Sequence, residues 1–211
     1  KKMLRSNQQN FGKDSIYTLG THMSLADHQR GQLNGMDAAT NYHKSLEIFE
    51  KELAERGEID SLHKLIPACL GGGKDAASLY EKAADFFQLY GGAEKSLPLL
   101  ERAQQLLPKD AGFERRAEIH QKVARVHADS GNRAEAVKIH TQVWNEALET
   151  YPPTSSELAS HAEHLARGLG EGQRSDDLWG LSISLSAQNR TSPALSALAK
   201  QYAALGCHDQ A

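Results

Sequence analysis

The sequence predicts an all-α fold built from repeated antiparallel helix pairs, and three observations carry that prediction. Alanine and leucine dominate the apolar set, both strong helix formers, while aromatic residues are only 6% of the chain, too few for an aromatic-rich β-sandwich. Apolar residues recur at three- and four-residue steps, the period of one helix face. The third observation is a repeat. Ala124, His127, Gly131 and Ala136 are matched 75 residues later by Ala199, Tyr202, Gly206 and Ala211. Ala84, Phe87 and Gly91 stand 40 residues before Ala124, His127 and Gly131, so one unit recurs about every 37 to 40 residues. Such a period is the mark of a stacked array.

The clearest unit explains itself mechanically. Over residues 75–90, Leu79, Tyr80, Ala83, Ala84, Phe87 and Tyr90 form one apolar face, with Asp75 placed as the N-cap. Gly91-Gly92 ends that helix, because glycine accepts the left-handed cap conformation. Leu97, Leu100, Ala103, Leu106 and Leu107 form the face of a second helix, stopped by Pro108. A short connection forces the two helices antiparallel, and a lone pair cannot bury its apolar face, so such units stack.

The block from Ala77 resembles the tetratricopeptide (TPR) family, whose eight patterned positions are filled by Tyr80, Ala83, Ala84, Phe87, Ser96, Leu100, Ala103 and Pro108. A second block from Ala117 supplies His120, Val123, Ala124, His127, Ala136, His140 and Val143. Its second helix runs on to Pro152-Pro153, and that length is similar to the longer repeats of kinesin light chains and of cell-polarity adaptors. The resemblance implies a right-handed α-solenoid of about five pairs forming one TPR-like repeat domain over 1–211. Its approximate units are 14–56, 77–110, 117–151, 155–188 and 192–211, with an extra short helix at 58–70. In the fourth unit Leu158, His161, Ala162 and Leu165 fit a first helix, while the second, around 177–186, fits the pattern poorly. The chain does not begin with Met and stops midway through a repeat, which suggests a piece of a longer protein.

Glu157, His161 and His164 share a helix face with spacing that suits zinc, but no second ligand pair is evident and His161 falls at a core position, so no metal is expected. His120, His127 and His140 stand where the family has aromatics and are expected to be packed rings with satisfied nitrogens. The run Gly71-Gly72-Gly73-Lys74-Asp75 glances at a phosphate loop. It has Ala68 where that loop needs glycine and Asp75 where it needs Ser or Thr. Glu50/Glu52 and Asp176/Asp177 read as acids on solvated helix ends. Cys69 has no basic neighbour to make it a nucleophile. No catalytic residues and no cofactor are expected. The formal net charge of −3 argues against nucleic acid as a partner. No apolar run is long enough for membrane insertion, and Cys69 and Cys207, lying far apart, suggest a reducing cytoplasmic setting.

The function implied by the resemblance is a scaffold or adaptor that binds a protein or peptide segment in a concave groove. Carried over from the family, the groove is lined by Glu81, Asp85 and Gln88, then Gln121, Arg125 and Asp129, then Glu163, Arg167 and Lys200. The tone shifts from acidic to basic along it. Glu81 and Asp85 stand where chaperone-binding members clamp a terminal carboxylate, and would repel one. The alternatives are a regulatory or sensor arm of a larger protein and, further off, a metal-dependent or enzymatic module in the histidine-rich middle. Self-association through the C-terminal helix is a further possibility.

Overall fold

The computed structural model describes residues 2–57, 62, 75–152, 155, 157–170 and 173–186. Among them the regular structure is helical: α1 Lys2–Phe11, α2 Ile16–Gly31, α3 Gly35–Arg56, α4 Ala77–Gly91, α5 Ala93–Gln105, α6 Phe113–Asp129, α7 Arg133–Thr150, α8 Leu158–Leu169 and α9 Gln173–Ser186. The chain divides into two compact units, Lys1–Ala111 and Gly112–Ala211. In the first, α2 pairs with α3 and α4 with α5; in the second, α6 pairs with α7 and α8 with α9. The pairs overlie the approximate units 14–56, 77–110, 117–151 and 155–188, although α6 starts at Phe113, ahead of residue 117. The expected helix at 58–70 falls outside the described residues apart from Leu62, which is buried. The unit at 192–211, the glycine–lysine run 71–74, Cys69 and Cys207 also lie outside them.

Local chemistry sets the helix ends. Asp75 Oδ1 accepts from the Ser78 backbone N–H at 3.0 Å, while the Asp75 N–H donates to Ser78 Oγ at 3.4 Å. That reciprocal arrangement is a capping box. Gly92, at φ 72°, ends α4. Two turns deserve comparison. After α6, Gly131 at φ 84° closes a Schellman motif, its N–H donating to Ala128 O at 3.0 Å and that of Asn132 to His127 O at 2.8 Å. After α2 the same bonds run from Leu33 to Arg30 O at 3.1 Å and from Asn34 to Gln29 O at 2.9 Å, with Leu33 at φ 59°. A leucine thus holds a left-handed position that costs a side-chain-bearing residue about 1–2 kcal/mol. Leu33→Gly is expected to raise the stability of this unit by about 1 kcal/mol, read as a higher denaturant midpoint at unchanged slope.

In the first unit, Leu19 and Met23 of α2, Tyr42 and Phe49 of α3, and Phe86 of α4 are all fully buried. Tyr42 meets Phe86 at 4.8 Å between ring centroids, and Phe49 meets Tyr80 edge-on at 5.8 Å, which joins α3 to α4. Glu50 is not a solvated helix-end acid. It accepts from the Tyr80 hydroxyl and, through both oxygens, from Arg102 Nε and Nη2 at 2.9 Å each, tying α3 to α4 and α5. Burial pushes its carboxyl up, but the Arg102 and Tyr80 hydrogen bonds outweigh that and hold it below the usual value. Asp27 of α2 likewise accepts from Tyr42 at 2.6 Å and from Lys82 of α4 at 3.3 Å.

The core of the second unit gathers Phe113 and Ala117 from α6, Val143, Trp144 and Ala147 from α7, Leu158, Ala162, Leu165 and Ala166 from α8, and Leu178 and Leu181 from α9. Alanines at these contacts let the helix backbones approach. Serines tie some pairs by bonding a carbonyl of the facing helix: Ser96 reaches Ala84 O at 3.1 Å and Ser175 reaches Ala166 O at 2.9 Å. Unforeseen in the sequence, α1 attaches to α2 partly through a polar bond, Asn7 Nδ2 to Thr21 Oγ1 at 2.8 Å.

Candidate protein-binding surface

The residues expected to line the groove sit in different states. On α4, Glu81 is buried at 7% exposure, while Asp85 and Gln88 are half-buried, so the acidic end presents less side chain than expected. On α6, Gln121 turns to His161 of α8, with Nε2 and Nδ1 3.1 Å apart. Arg125 and Asp129 project outward, with side chains 69% and 60% exposed and 4.0 Å apart. On α8, Arg167 is 63% exposed and pairs with Glu163 one turn back. Its guanidinium also lies 5.6 Å from the ring centroid of Trp179 on α9, a cation–π contact not foreseen in the sequence. The charge order reverses between these first helices, Arg before Asp on α6 and Glu before Arg on α8. Lys200 lies outside the described residues.

His140 and His161 are buried and His120 and His127 half-buried, while two buried ring nitrogens lack a partner, His22 Nε2 on α2 and His140 Nδ1 on α7. His161 is 2% exposed beside Phe113, 5.2 Å between ring centroids, with Nδ1 facing Gln121 and Nε2 3.3 Å from Glu114 Oε1. Glu114 is itself held by the Tyr151 hydroxyl at 2.5 Å. Both His161 nitrogens are therefore engaged, and Glu157 is bonded to Ser155. No cluster of three His, Cys, Asp or Glu suited to a metal occurs among the described residues. His140 on α7 lies nearly parallel to His164 on α8, rings 5.9 Å apart and tilted by 10°. A Cβ on Gly168 would come within 2.9 Å of the His140 ring, so the ring packs directly on the α8 backbone. Its Nδ1 is buried without a partner. Burial first, then the neighbouring His164, pull the His140 pKa down to about 4. Burial also lowers those of His164 and His120.

No family model matches the chain, and no curated protein matches it in sequence. Solved structures do match. One is a protein of Podosopora anserina named for kinesin light chain, with nearly identical TPR-like repeats. The match has a TM-score of 0.72 at 18% identity, covering 90% of this chain and 85% of that one. The fold is TPR-like. The helix pairs, the glycine-closed turns and the alanine-lined contacts described above are that fold's parts in this chain. No helix among the described residues is long and apolar enough to cross a membrane.

Proposed function

We propose that the chain is a protein-interaction scaffold, with no catalytic role of its own, that holds a protein or peptide segment on the first helices of its TPR-like pairs. The observation that carries this reading is the outward charge mosaic of α6 and α8, where Arg125 and Arg167 are each about two-thirds exposed. Each is paired with an acid one turn away on its own helix. Such surface pairs are worth only about 0.2–0.5 kcal/mol, so a partner's charges can replace them at little cost. Reversed charge order on consecutive helices would fix the register of a bound segment, and apolar anchors would supply most of its affinity. Asp85 and Gln88 offer a smaller contact on α4, and Lys200 remains a proposed contact. A cytoplasmic setting fits this role.

The test is capture from a matched cell extract by the parent chain, by Arg125→Glu/Arg167→Glu and by Asp85→Lys. A specific partner should be held by the parent and retained at least about tenfold less by the double reversal, the cost of about 1.4 kcal/mol in contacts. Equal retention by all three proteins would exclude the first-helix faces.

A further inference from the structure

We propose that the corner between α2 and α3 is a second docking site, taking a partner segment in which an arginine is flanked by apolar residues. It lies at the helix ends and does not depend on the first-helix reading.

The first observation is the conformation of Leu33. The equivalent turn of the second unit uses Gly131, whereas here leucine adopts φ 59° with its side chain 84% exposed. Among the described residues nothing repays that strain, because the side chain is exposed instead of packing. Met36, in the first turn of α3, is also 84% exposed. Leu89 and Tyr90, at the end of α4, are 63% and 51% exposed. Tyr90 belongs to the same patch, since a Cβ on Gly35 would lie 3.4 Å from its ring. Leu33 and Met36 lie on either side of Gly35 and its neighbour in sequence, and Tyr90 packs against Gly35, so three large exposed apolar side chains stand at one corner, where scattered single ones would need no explanation.

The second observation defines the partner's charge. Beside Leu33 and Met36 lies a recess of about 250 Å³ lined by Leu25, His28, Gln29, Gln32, Asn34 and Asp37. The fixed negative charge in this lining is the Asp37 carboxylate, whose Oδ2 accepts from Asn34 Nδ2 at 2.9 Å. An exposed carboxylate, with an apolar floor at Leu25, suits a planar guanidinium whose several N–H groups are donors. The apolar corner beside it takes the neighbouring side chains of the same segment. An acidic segment would meet Asp37 with like charge.

The experiment uses the full chain and two labelled peptides, acetyl-Gly-Leu-Arg-Leu-Leu-Gly-amide and its citrulline counterpart, which keeps the shape and loses the charge. Anisotropy should show the arginine peptide binding at least about tenfold more tightly. Amide NMR shifts should centre on residues 25–37 and 89–90. In Asp37→Asn the two peptides should bind alike. Leu33→Gly should weaken the arginine peptide severalfold while raising thermal stability, a combination that a purely structural residue would not give. No saturable binding up to millimolar peptide overturns the proposal, as does equal binding of both peptides by the parent. A concentration-dependent dimer that disappears in Leu33→Gly/Met36→Ser overturns it too, assigning the corner to a second copy.

Discussion

Trp144→Ala should destabilise the second unit by about 3–5 kcal/mol, the cost of truncating a large buried aromatic ring. Trp144 is 1% exposed and shares its cluster with residues from all four helices of that unit, so no single neighbour can collapse into the space it leaves. Denaturation followed by helical circular dichroism should show the loss, and amide exchange should accelerate through α7, α8 and α9. Leu89→Ala provides the contrast. Leu89 is an apolar side chain 63% exposed, and its removal should change stability by less than about 0.5 kcal/mol. A Trp144→Ala protein as stable as its parent would disprove the packing described for this unit.

Acid should weaken the same unit through His140. Its folded pKa of about 4 lies below the ordinary 6.5, so the unfolded chain takes up the proton first. Stability from this group is fully present above pH 6.5, falls as the pH drops, and loses nothing more below about 4. With some solvent access allowed for, the loss is about 2 kcal/mol. His164 is displaced in the same direction, also chiefly by burial, and adds to the slope. Carboxylates and the other histidines also titrate in this range, but they are common to both proteins, so the difference between parent and His140→Leu from pH 6.5 to 4.5 reports the imidazole. The variant should show the flatter profile. Identical profiles would mean that His140 finds a partner for its proton.

What could be read in advance divides along physical lines. Helix ends governed by adjacent residues were legible: the Asp75–Ser78 bonds at the start of α4, its stop at Gly91-Gly92, and the end of α7 at Thr150, just before Pro152. The second helix of the fourth pair was obscure because Ser175 and Ser182 are buried where the repeat pattern looks for apolar residues. No apolar stripe announced α1, which sits on α2 with the help of an amide–hydroxyl bond. The resemblance placed Arg125 and Arg167 among the groove residues, and their side chains are exposed. The resemblance also put Glu81 in the groove, yet it is buried, since a family pattern does not say how closely neighbours crowd a given position. Leu33 was hidden for another reason. Its left-handed turn is one that sequence patterns assign to glycine, and no glycine stands at that position to announce it. The orphaned Nδ1 of His140 was equally invisible, because substitution for an aromatic signals packing and says nothing of hydrogen-bond partners.

The Glu50 carboxylate has a consequence in time. Each helix pair of the first unit closes from residues near one another in the chain, steps that take on the order of microseconds. Glu50 reaches Tyr80 and Arg102 across 30 and 52 residues, so its bonds can form only after α3, α4 and α5 have each been made and brought together. Interactions completed that late act mainly on the rate of unfolding and little on the rate of folding. One side chain touching three helices thus works as a latch, prolonging the life of the assembled state without hurrying its arrival.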